Sequence, residues 1–164
     1  MTALQPARPA NRGRDVLPPE LVIERADTER KFQQVIDLRR TVFHDEQHLV
    51  DMILTDSDDE RSVVLIASLH GVPVATGRLT PPSMTRRAYL SWIATLPARR
   101  RQGIATAIVA QLVKESDRRR LGDLHLSAQV PAIELYARFG FTATGSEFTV
   151  RNIPHVPMTR VRRT

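Results

Sequence analysis

Residues 97–113 read PARRRQGIATAIVAQLV: a proline, three consecutive arginines, a glycine and then a largely apolar run. Within this run Ile104, Ile108 and Leu112 recur at a spacing of four, which predicts an amphipathic helix that begins at Ile104. The first turn of a helix carries N–H groups without partners and the positive end of the helix dipole. The turn before this helix is therefore a candidate site for a phosphorylated ligand.

The residue types of this turn suit phosphate. Gly103 lets the main chain approach a ligand closely, and Ala105 is small enough for a ligand or a neighbouring strand to come near. Arg100 and Arg101 add positive charge and forked donors that match phosphate oxygens. A nucleic-acid patch and a solvated run of charge are the other two interpretations of consecutive arginines, and the turn by itself leaves them open.

The composition limits the class of protein. The chain has 164 residues, five histidines, no cysteine and a formal net charge of +6. This length suits one domain with its own core, and the lack of cysteine excludes disulfides and thiolate chemistry. The histidines lack the spacing of metal ligands, so we expect no metal site. We found neither a secretory signal nor an apolar run of about 20 residues, so we expect a cytoplasmic protein without a membrane partner.

The patterning along the chain predicts one domain behind a short arm. Residues 1–19 mix proline with arginine and show no apolar period, which predicts a disordered arm before a domain over residues 20–164. The domain is predicted to run strand, helix, three strands, helix, strand, helix and two strands. A hairpin turn at His70–Gly71 lies between two of these strands, an Asp27–Thr28 cap starts the first helix, and Gly122 ends the second. This order predicts an α/β fold (α+β mixed sheet), a central mixed sheet flanked by helices.

Two motifs together resemble the GNAT superfamily of N-acyltransferases. Residues 100–105, RRQGIA, are similar to the Q/R-x-x-G-x-G/A signature that binds acyl-coenzyme A in that superfamily. Residues 132–141, AIELYARFGF, resemble its A-x-x-L-Y-x-x-x-G-F helix and the strand that follows. The two motifs occur in the family's order, and the resemblance extends over nearly all of residues 20–160.

A narrower resemblance connects the chain to the ElaA-like branch. It rests on VFHDEQ at residues 42–47, LSAQ at residues 126–129 and IPHVPM at residues 153–158. The chain departs from that branch at Arg151–Asn152, where D-G is usual. It departs again at residues 48–54, HLVDMIL, where an aromatic residue is expected, so the acceptor pocket is expected to differ from those of its relatives.

The resemblance implies an enzyme that transfers an acetyl group from acetyl-CoA to a primary amine of a small molecule or peptide. It implies that the last of the three consecutive strands splays from its neighbour near Trp92–Thr95. Free main-chain groups there would pair with the pantetheine arm, and one N–H would polarise the thioester carbonyl. The residues that it assigns to the cofactor are Ile93, Ala94, Thr95, Arg100, Arg101, Gln102, Gly103, Ile104, Ala105 and Gln129.

Three side chains are candidates for proton transfer. Tyr136 matches the family position of the general acid that protonates the departing thiolate, and the alternative is that it only packs in the core. Glu46 is the first candidate for a base or for a grip on the substrate ammonium, and the alternative is a solvated or capping glutamate. His155 is the second candidate base, and the alternative is a structural histidine. The acidic residues 56–60 either attract a cationic substrate or form a solvated turn.

Two other functions stay open from the sequence. One is an acyl-CoA-binding protein without catalysis. The other is a nucleic-acid-binding module, suggested by the net charge and by arginines at both ends of the chain. Aromatic residues make up only 5% of the chain, fewer than the stacking platforms of single-strand binders need, so nucleic acid is not the expected partner. A homodimer is an assembly that the family resemblance allows.

Overall fold

The computed structural model describes residues 16–163, so residues 1–15 of the predicted arm lie outside the described part. Eight strands and three α-helices form the domain, in an order that agrees with the prediction up to the last strands. They are β1 (Leu21–Arg25), α1 (Glu29–Arg39), β2 (Val63–Leu69), β3 (Val72–Thr80), β4 (Ala88–Thr95), α2 (Ile104–Arg119), β5 (Leu124–Gln129), α3 (Ile133–Ala137), β6 (Thr142–Ala143), β7 (Phe148–Val150) and β8 (Ile153–Arg160).

The strands form one mixed sheet, as predicted. Its order is β1-β2-β3-β4-β5-β8-β6, with β7 also paired to β8, and β4–β5 is the parallel pair among antiparallel neighbours. Val35 and Leu38 of α1 pack on one face against β2, whereas the apolar side of α2 packs on the opposite face. Because alternate side chains of a strand point to opposite faces, β2 can be buried on both sides. Within residues 16–163, no helix has both the length and the apolarity needed to cross a membrane.

Three local details differ from the predicted pattern. The first helix changes at residue 40 into a π-helical segment, Arg40–Glu46, that carries the predicted VFHDE residues. The second helix ends at Arg119. The next residue, Arg120, caps it in a left-handed conformation (φ +55°), two residues before the predicted stop at Gly122. The single strand predicted directly after the third helix is divided into β6 and β7. Thr28 caps α1 as predicted, with Lys31 N donating to Thr28 Oγ1 at 3.2 Å.

The close approach of α2 to β3 depends on Gly77. A Cβ atom at this position would lie 2.7 Å from Ile108 Cγ2 on α2 and 2.7 Å from Ile93 Cδ1 on β4. We expect Gly77→Ala to destabilise the fold by about 1–3 kcal/mol through overpacking, measured by urea unfolding. In a double-mutant cycle, Ile93→Val removes the Cδ1 methyl and should relieve part of this cost. Strict additivity of the two substitutions would contradict the packing argument.

A buried ion cluster, formed by Arg39, Arg78, Asp56 and Asp59, lies between α1 and the sheet. Arg39 is fully buried and donates to Asp59 Oδ1 at 2.9 Å and to Leu54 O at 2.7 Å. Arg78, also buried, donates to Asp56 Oδ1 at 2.6 Å and to Asp59 Oδ1 at 3.0 Å. The buried Asp59 therefore balances buried arginines, which is neither of the two roles predicted for the acidic loop, whereas Asp56 pairs with Arg78 and is also partly solvated.

Candidate functional site

Strands β4 and β5 separate after a short paired section. They pair only at Ala88–Leu124 and Tyr89–His125, although β4 continues to Thr95 and β5 to Gln129. The splay predicted near Trp92–Thr95 is confirmed. It leaves the β5-facing main-chain groups of the last part of β4 without a strand partner.

A β-bulge at Trp92 sets this geometry. On the β3 side, the pairing moves from Thr76–Ala94 to Arg78–Ser91, so that two residues of β4 oppose Gly77 alone. Trp92 has a φ of +56°, in the left-handed region that such bulged residues can occupy. A bulge twists the strand and turns the following side chains and N–H groups to a new direction. Bulge and splay thus occur together at the same stretch of β4.

The predicted phosphate turn borders a groove of about 460 Å³, the α2 groove. Arg101 and Gly103 both have left-handed backbone conformations (φ +58° and +76°), and Gly103 directly precedes the first residue of α2. The side-chain oxygen of Thr95, at the inner end of the groove, is buried and has no hydrogen-bond partner within residues 16–163. Predicted cofactor residues that line the groove are Thr95, Arg100, Arg101, Gly103, Ile104 and Ala105.

A second opening, the β4–β5 cavity, has a volume of about 400 Å³ and lies at the splay. It brings together two predicted cofactor residues, Ile93 and Gln129, with two predicted catalytic residues, Tyr136 and His155. Aromatic, aliphatic and neutral polar side chains, mostly from β4, β5 and β7, make up the rest of its lining. Ala94 and Gln102 line neither opening; Ala94 is buried in the core.

Tyr136 lies at the wall of the β4–β5 cavity, and its hydroxyl is protonated. Burial raises the pKa of Tyr136 above its ordinary value of 10, and the nearby Tyr89 contributes to the shift. Its hydroxyl makes no hydrogen bond to any other residue between 16 and 163, although the ring packs edge-on against Phe141 at 6.1 Å. The ring therefore packs in the core, and the same residue lines the β4–β5 cavity.

His155 is fixed by two contacts. Its Nδ1 lies 2.7 Å from Ile153 O, and its ring stacks on Phe148 with the ring centroids 5.8 Å apart. A carbonyl oxygen can only accept, so Nδ1 carries the proton of this hydrogen bond. In the neutral ring the lone pair is then on Nε2, which is the nitrogen left to accept a proton.

Glu46 lies at the boundary of the α2 groove and is held there by Arg100. Both of its carboxylate oxygens accept from Arg100, at 2.5 Å each, and Arg100 Nε donates to Thr95 O at 3.1 Å. The next residue, Gln47, exchanges two amide hydrogen bonds with Gln129 at 3.1 and 3.3 Å. Glu46 and Gln47 therefore connect the end of the π-helical segment to the ends of both splayed strands.

A family model for an acetyltransferase (GNAT) domain matches residues 26–162, which is most of the chain. The chain belongs to the GNAT acetyltransferase family. Enzymes of this family use acetyl-CoA or another acyl-CoA. Among the relatives of this GNAT chain, the Bacillus subtilis protein YyaT is 30% identical over 141 residues, which cover 84% of this chain and 94% of YyaT.

Solved structures share the GNAT fold. An acyl-CoA N-acyltransferase from Pseudomonas aeruginosa has a TM-score of 0.74 at 24% identity, and the match covers 86% of this chain and 98% of that one. Escherichia coli ElaA has a TM-score of 0.75 at 18% identity, covering 86% and 98%. A GNAT family acetyltransferase from Elizabethkingia anophelis with acetyl-CoA bound has a TM-score of 0.63 at 13% identity, covering 88% and 100%. These matches show the fold that the motifs predicted.

Other residues of this GNAT site escaped the sequence analysis. Arg39 lies over the Trp92 ring, with its guanidinium carbon 4.5 Å from the ring centroid, so the buried ion cluster supports the bulge. Tyr89 donates to Ser127 Oγ at 2.8 Å across β4 and β5. The alternation of β4 could have indicated Tyr89, because it lies one position from the buried Ala88 and Leu90. Nothing in the local sequence marks Arg39 as buried.

Proposed function

We propose that the chain is an acetyl-CoA-dependent N-acetyltransferase whose acceptor is a primary amine. The observation that carries the proposal is the pair of openings at the unpaired end of β4: the α2 groove is lined by Thr95, the β4–β5 cavity by Ile93, and the two share Ala132. The buried Thr95 hydroxyl, which has no hydrogen-bond partner in the described part of the chain, and the left-handed turn at Gly103 fit a phosphate-bearing, chain-like cofactor in the groove. Acetyl-CoA would supply the activated acetyl thioester.

The residues of this proposal act by positioning. Arg101 and the first N–H groups of α2 bind the phosphates, while free β4 groups orient the pantetheine arm. An N–H of Ile93 or Ala94 donates to the thioester oxygen, where negative charge develops during attack. Arg100 is already engaged by Glu46, so its contribution is to hold the turn in place.

Proton transfer is assigned to two cavity residues. An amine of lysine-like basicity is protonated at neutral pH and must lose a proton before it can attack. His155 Nε2 accepts this proton, directly or through water. As the amine nitrogen bonds to the acetyl carbon, the carbon–sulfur bond breaks, and Tyr136 donates its hydroxyl proton to the departing sulfur. The nitrogen then releases its second proton, which restores the Tyr136 hydroxyl directly or through water. The products are the acetylated amine and free CoA.

Gly103→Val is expected to weaken acetyl-CoA binding at least tenfold in isothermal titration calorimetry, because a β-branched residue disfavours the left-handed turn. Gly122→Val is the matched control. Gly122 also has a positive φ (+82°) and lies near the opposite end of α2. A Cβ atom added there would have no neighbour within 4 Å. The two variants thus share the backbone strain, but only Gly103 borders the groove. Equal affinities for acetyl-CoA in the two variants would remove the proposed cofactor site.

The variant Glu46→Gln distinguishes two candidate roles of Glu46, which are to hold Arg100 and to act as the general base. If Glu46 acts through Arg100, the variant should raise the KM for acetyl-CoA several-fold and keep the wild-type shape of the pH–rate profile. If Glu46 is the base, the ascending limb of that profile should disappear. We expect the first result, because both carboxylate oxygens accept hydrogen bonds from Arg100. Steady-state kinetics between about pH 6 and pH 9 distinguish the two results.

A further inference from the structure

A third opening, the arginine cavity, adjoins the β4–β5 cavity on the sheet face that carries α1. It has a volume of about 570 Å³ and shares Tyr89 and Ser91 with its neighbour. Its charged lining residues, apart from His125, are Arg61, Arg78, Arg86, Arg87, Asp56 and Asp58. Four arginines against two aspartates give this lining a formal charge of +2.

Half of this net positive charge belongs to one arginine that has no ion pair among residues 16–163. Arg78 is paired with Asp56, while Arg61 and Arg86 share Asp58, with Nη1 of Arg86 at 3.3 Å. Arg87 forms no ion pair with any residue from 16 to 163. Its guanidinium is therefore available to an anion that enters the cavity.

His125 presents a second unsatisfied group in the same place. Its Nδ1 lies 2.9 Å from Thr159 Oγ1, whereas its Nε2 is buried and has no hydrogen-bond partner within the described residues. Burial and the charge of Arg87 lower the pKa of His125, so the ring is neutral at neutral pH. When Thr159 donates to Nδ1, the ring proton is on Nε2, and an oxygen of a ligand would supply the acceptor that it lacks.

Strand β5 gives the distance from the arginine cavity to the proposed reaction site at His155. His125 and Gln129 project to the same face of β5 and are four residues apart, which corresponds to about 13 Å. Gln129 is paired with His155 on β8, and the Tyr89–Ser127 hydrogen bond lies between the two ends. An extended peptide of about four residues has the same span.

The arginine cavity and the β4–β5 cavity differ in charge. Among residues 16–163, no aspartate or glutamate lines the β4–β5 cavity. A substrate with a second ammonium group at the far end would meet Arg87, whereas an anionic group would meet both a free guanidinium and an unsatisfied imidazole nitrogen. The electrostatics thus favour an acceptor with an amine at one end and an anion at the other.

We propose that the acceptor is an extended primary amine with a carboxylate or phosphate at its far end, bound by Arg87 and His125 while the amine lies at His155. This inference rests on the proposed acetyl transfer. It narrows the acceptor to an anionic class and makes Arg87 a specificity-determining residue. A carboxylate and a phosphate would both bind as oxyanions, and a phosphate analogue distinguishes between them.

The test compares tetraglycine with tetraglycinamide, which differ only in the terminal carboxylate. Steady-state acetylation should show a kcat/KM about tenfold higher for the free acid. Arg87→Ala should abolish this preference, whereas Arg30→Ala, which removes an exposed charge on α1 outside all three openings, should keep it. Glycine is the length control, because its amine and carboxylate cannot reach both ends. An ω-aminoalkyl phosphate of the same span, compared with the peptide acid, distinguishes the two anions.

The readouts separate this inference from the proposed function. Calorimetry with acetyl-CoA tests the cofactor site alone, and titration of both peptides into the CoA complex tests the acceptor end without turnover. If acetyl-CoA binds but the acid is neither bound nor acetylated better than the amide, the anionic acceptor is overturned while the cofactor site stands. That outcome includes the case in which neither peptide binds. Failure of acetyl-CoA itself to bind would remove the proposed function.

Discussion

Asp59→Ala is expected to destabilise the folded protein by about 3–5 kcal/mol, measured by urea unfolding at pH 7, because it leaves a buried arginine without its counter-charge. Arg39 would keep Leu54 O and its contacts with two aromatic rings, none of which carries negative charge. Arg78 would keep Asp56. The loss should therefore come mainly from the uncompensated charge of Arg39, which is fully buried.

The control is Asp37→Ala, which removes an exposed pair. Asp37 bonds to Arg40 on the surface of α1, and both side chains are about half exposed (57% and 49%). Such pairs contribute roughly 0–1 kcal/mol. If Asp59→Ala and Asp37→Ala lowered the free energy of unfolding equally, the buried cluster would contribute no more to stability than an exposed ion pair.

The same cluster predicts a pH dependence. Burial opposes ionisation of Asp59, but hydrogen bonds from Arg39, from the Asp56 main chain and from Arg78 outweigh burial and hold its pKa below the ordinary value of 3.8. A carboxylate with a depressed folded-state pKa contributes stability above its unfolded pKa and loses it as pH falls through the folded value. The wild-type protein should thus lose stability below about pH 4 by a component that Asp59→Ala lacks.

Tyr136→Phe is expected to lower kcat by about 10²-fold with little change in the KM for acetyl-CoA, since it removes the proton donor and keeps the ring. The free energy of unfolding should stay within about 0.5 kcal/mol of wild type, because the hydroxyl has no hydrogen-bond partner between residues 16 and 163. The raised pKa keeps Tyr136 protonated beyond the usual tyrosine range, so no loss of rate from its ionisation is expected below about pH 10.

Tyr89→Phe is the comparison for this prediction, because Tyr89 is the other tyrosine of the chain and lines the same cavity. Removing its hydroxyl breaks the hydrogen bond to Ser127 and should change the KM for the amine more than kcat. A wild-type kcat in Tyr136→Phe would reduce Tyr136 to a packing residue and leave another proton donor to be found.

Local patterns predicted most of the architecture. The spacing of apolar residues in α2, the His70–Gly71 turn and the cap at Thr28 each act within a few residues, so they can be recognised in the sequence and were confirmed. The resemblance of two short motifs then predicted the splay of β4 from β5. These features depend on sequence-local chemistry or on motifs that a family shares.

Long-range pairing explains what the sequence could not predict. Arg39 has the polarity of a surface residue, and its burial depends on Asp59, twenty positions later, returning to it from a loop. The bulge at Trp92 depends on register with β3, and the ion pair of Glu46 depends on Arg100, 54 residues away. Tertiary geometry decides these contacts, so composition and periodicity contain no signal for them.

The bulge has a practical consequence, since Trp92 is the only tryptophan in the chain. Its indole packs edge-on to Phe43 at 5.3 Å, lies beneath the guanidinium of Arg39 and borders the β4–β5 cavity. Tryptophan emission from the unlabelled protein therefore originates from a single known point beside the site. The molecule has its own optical reporter, and stopped-flow fluorescence can time the arrival of each ligand without any added dye.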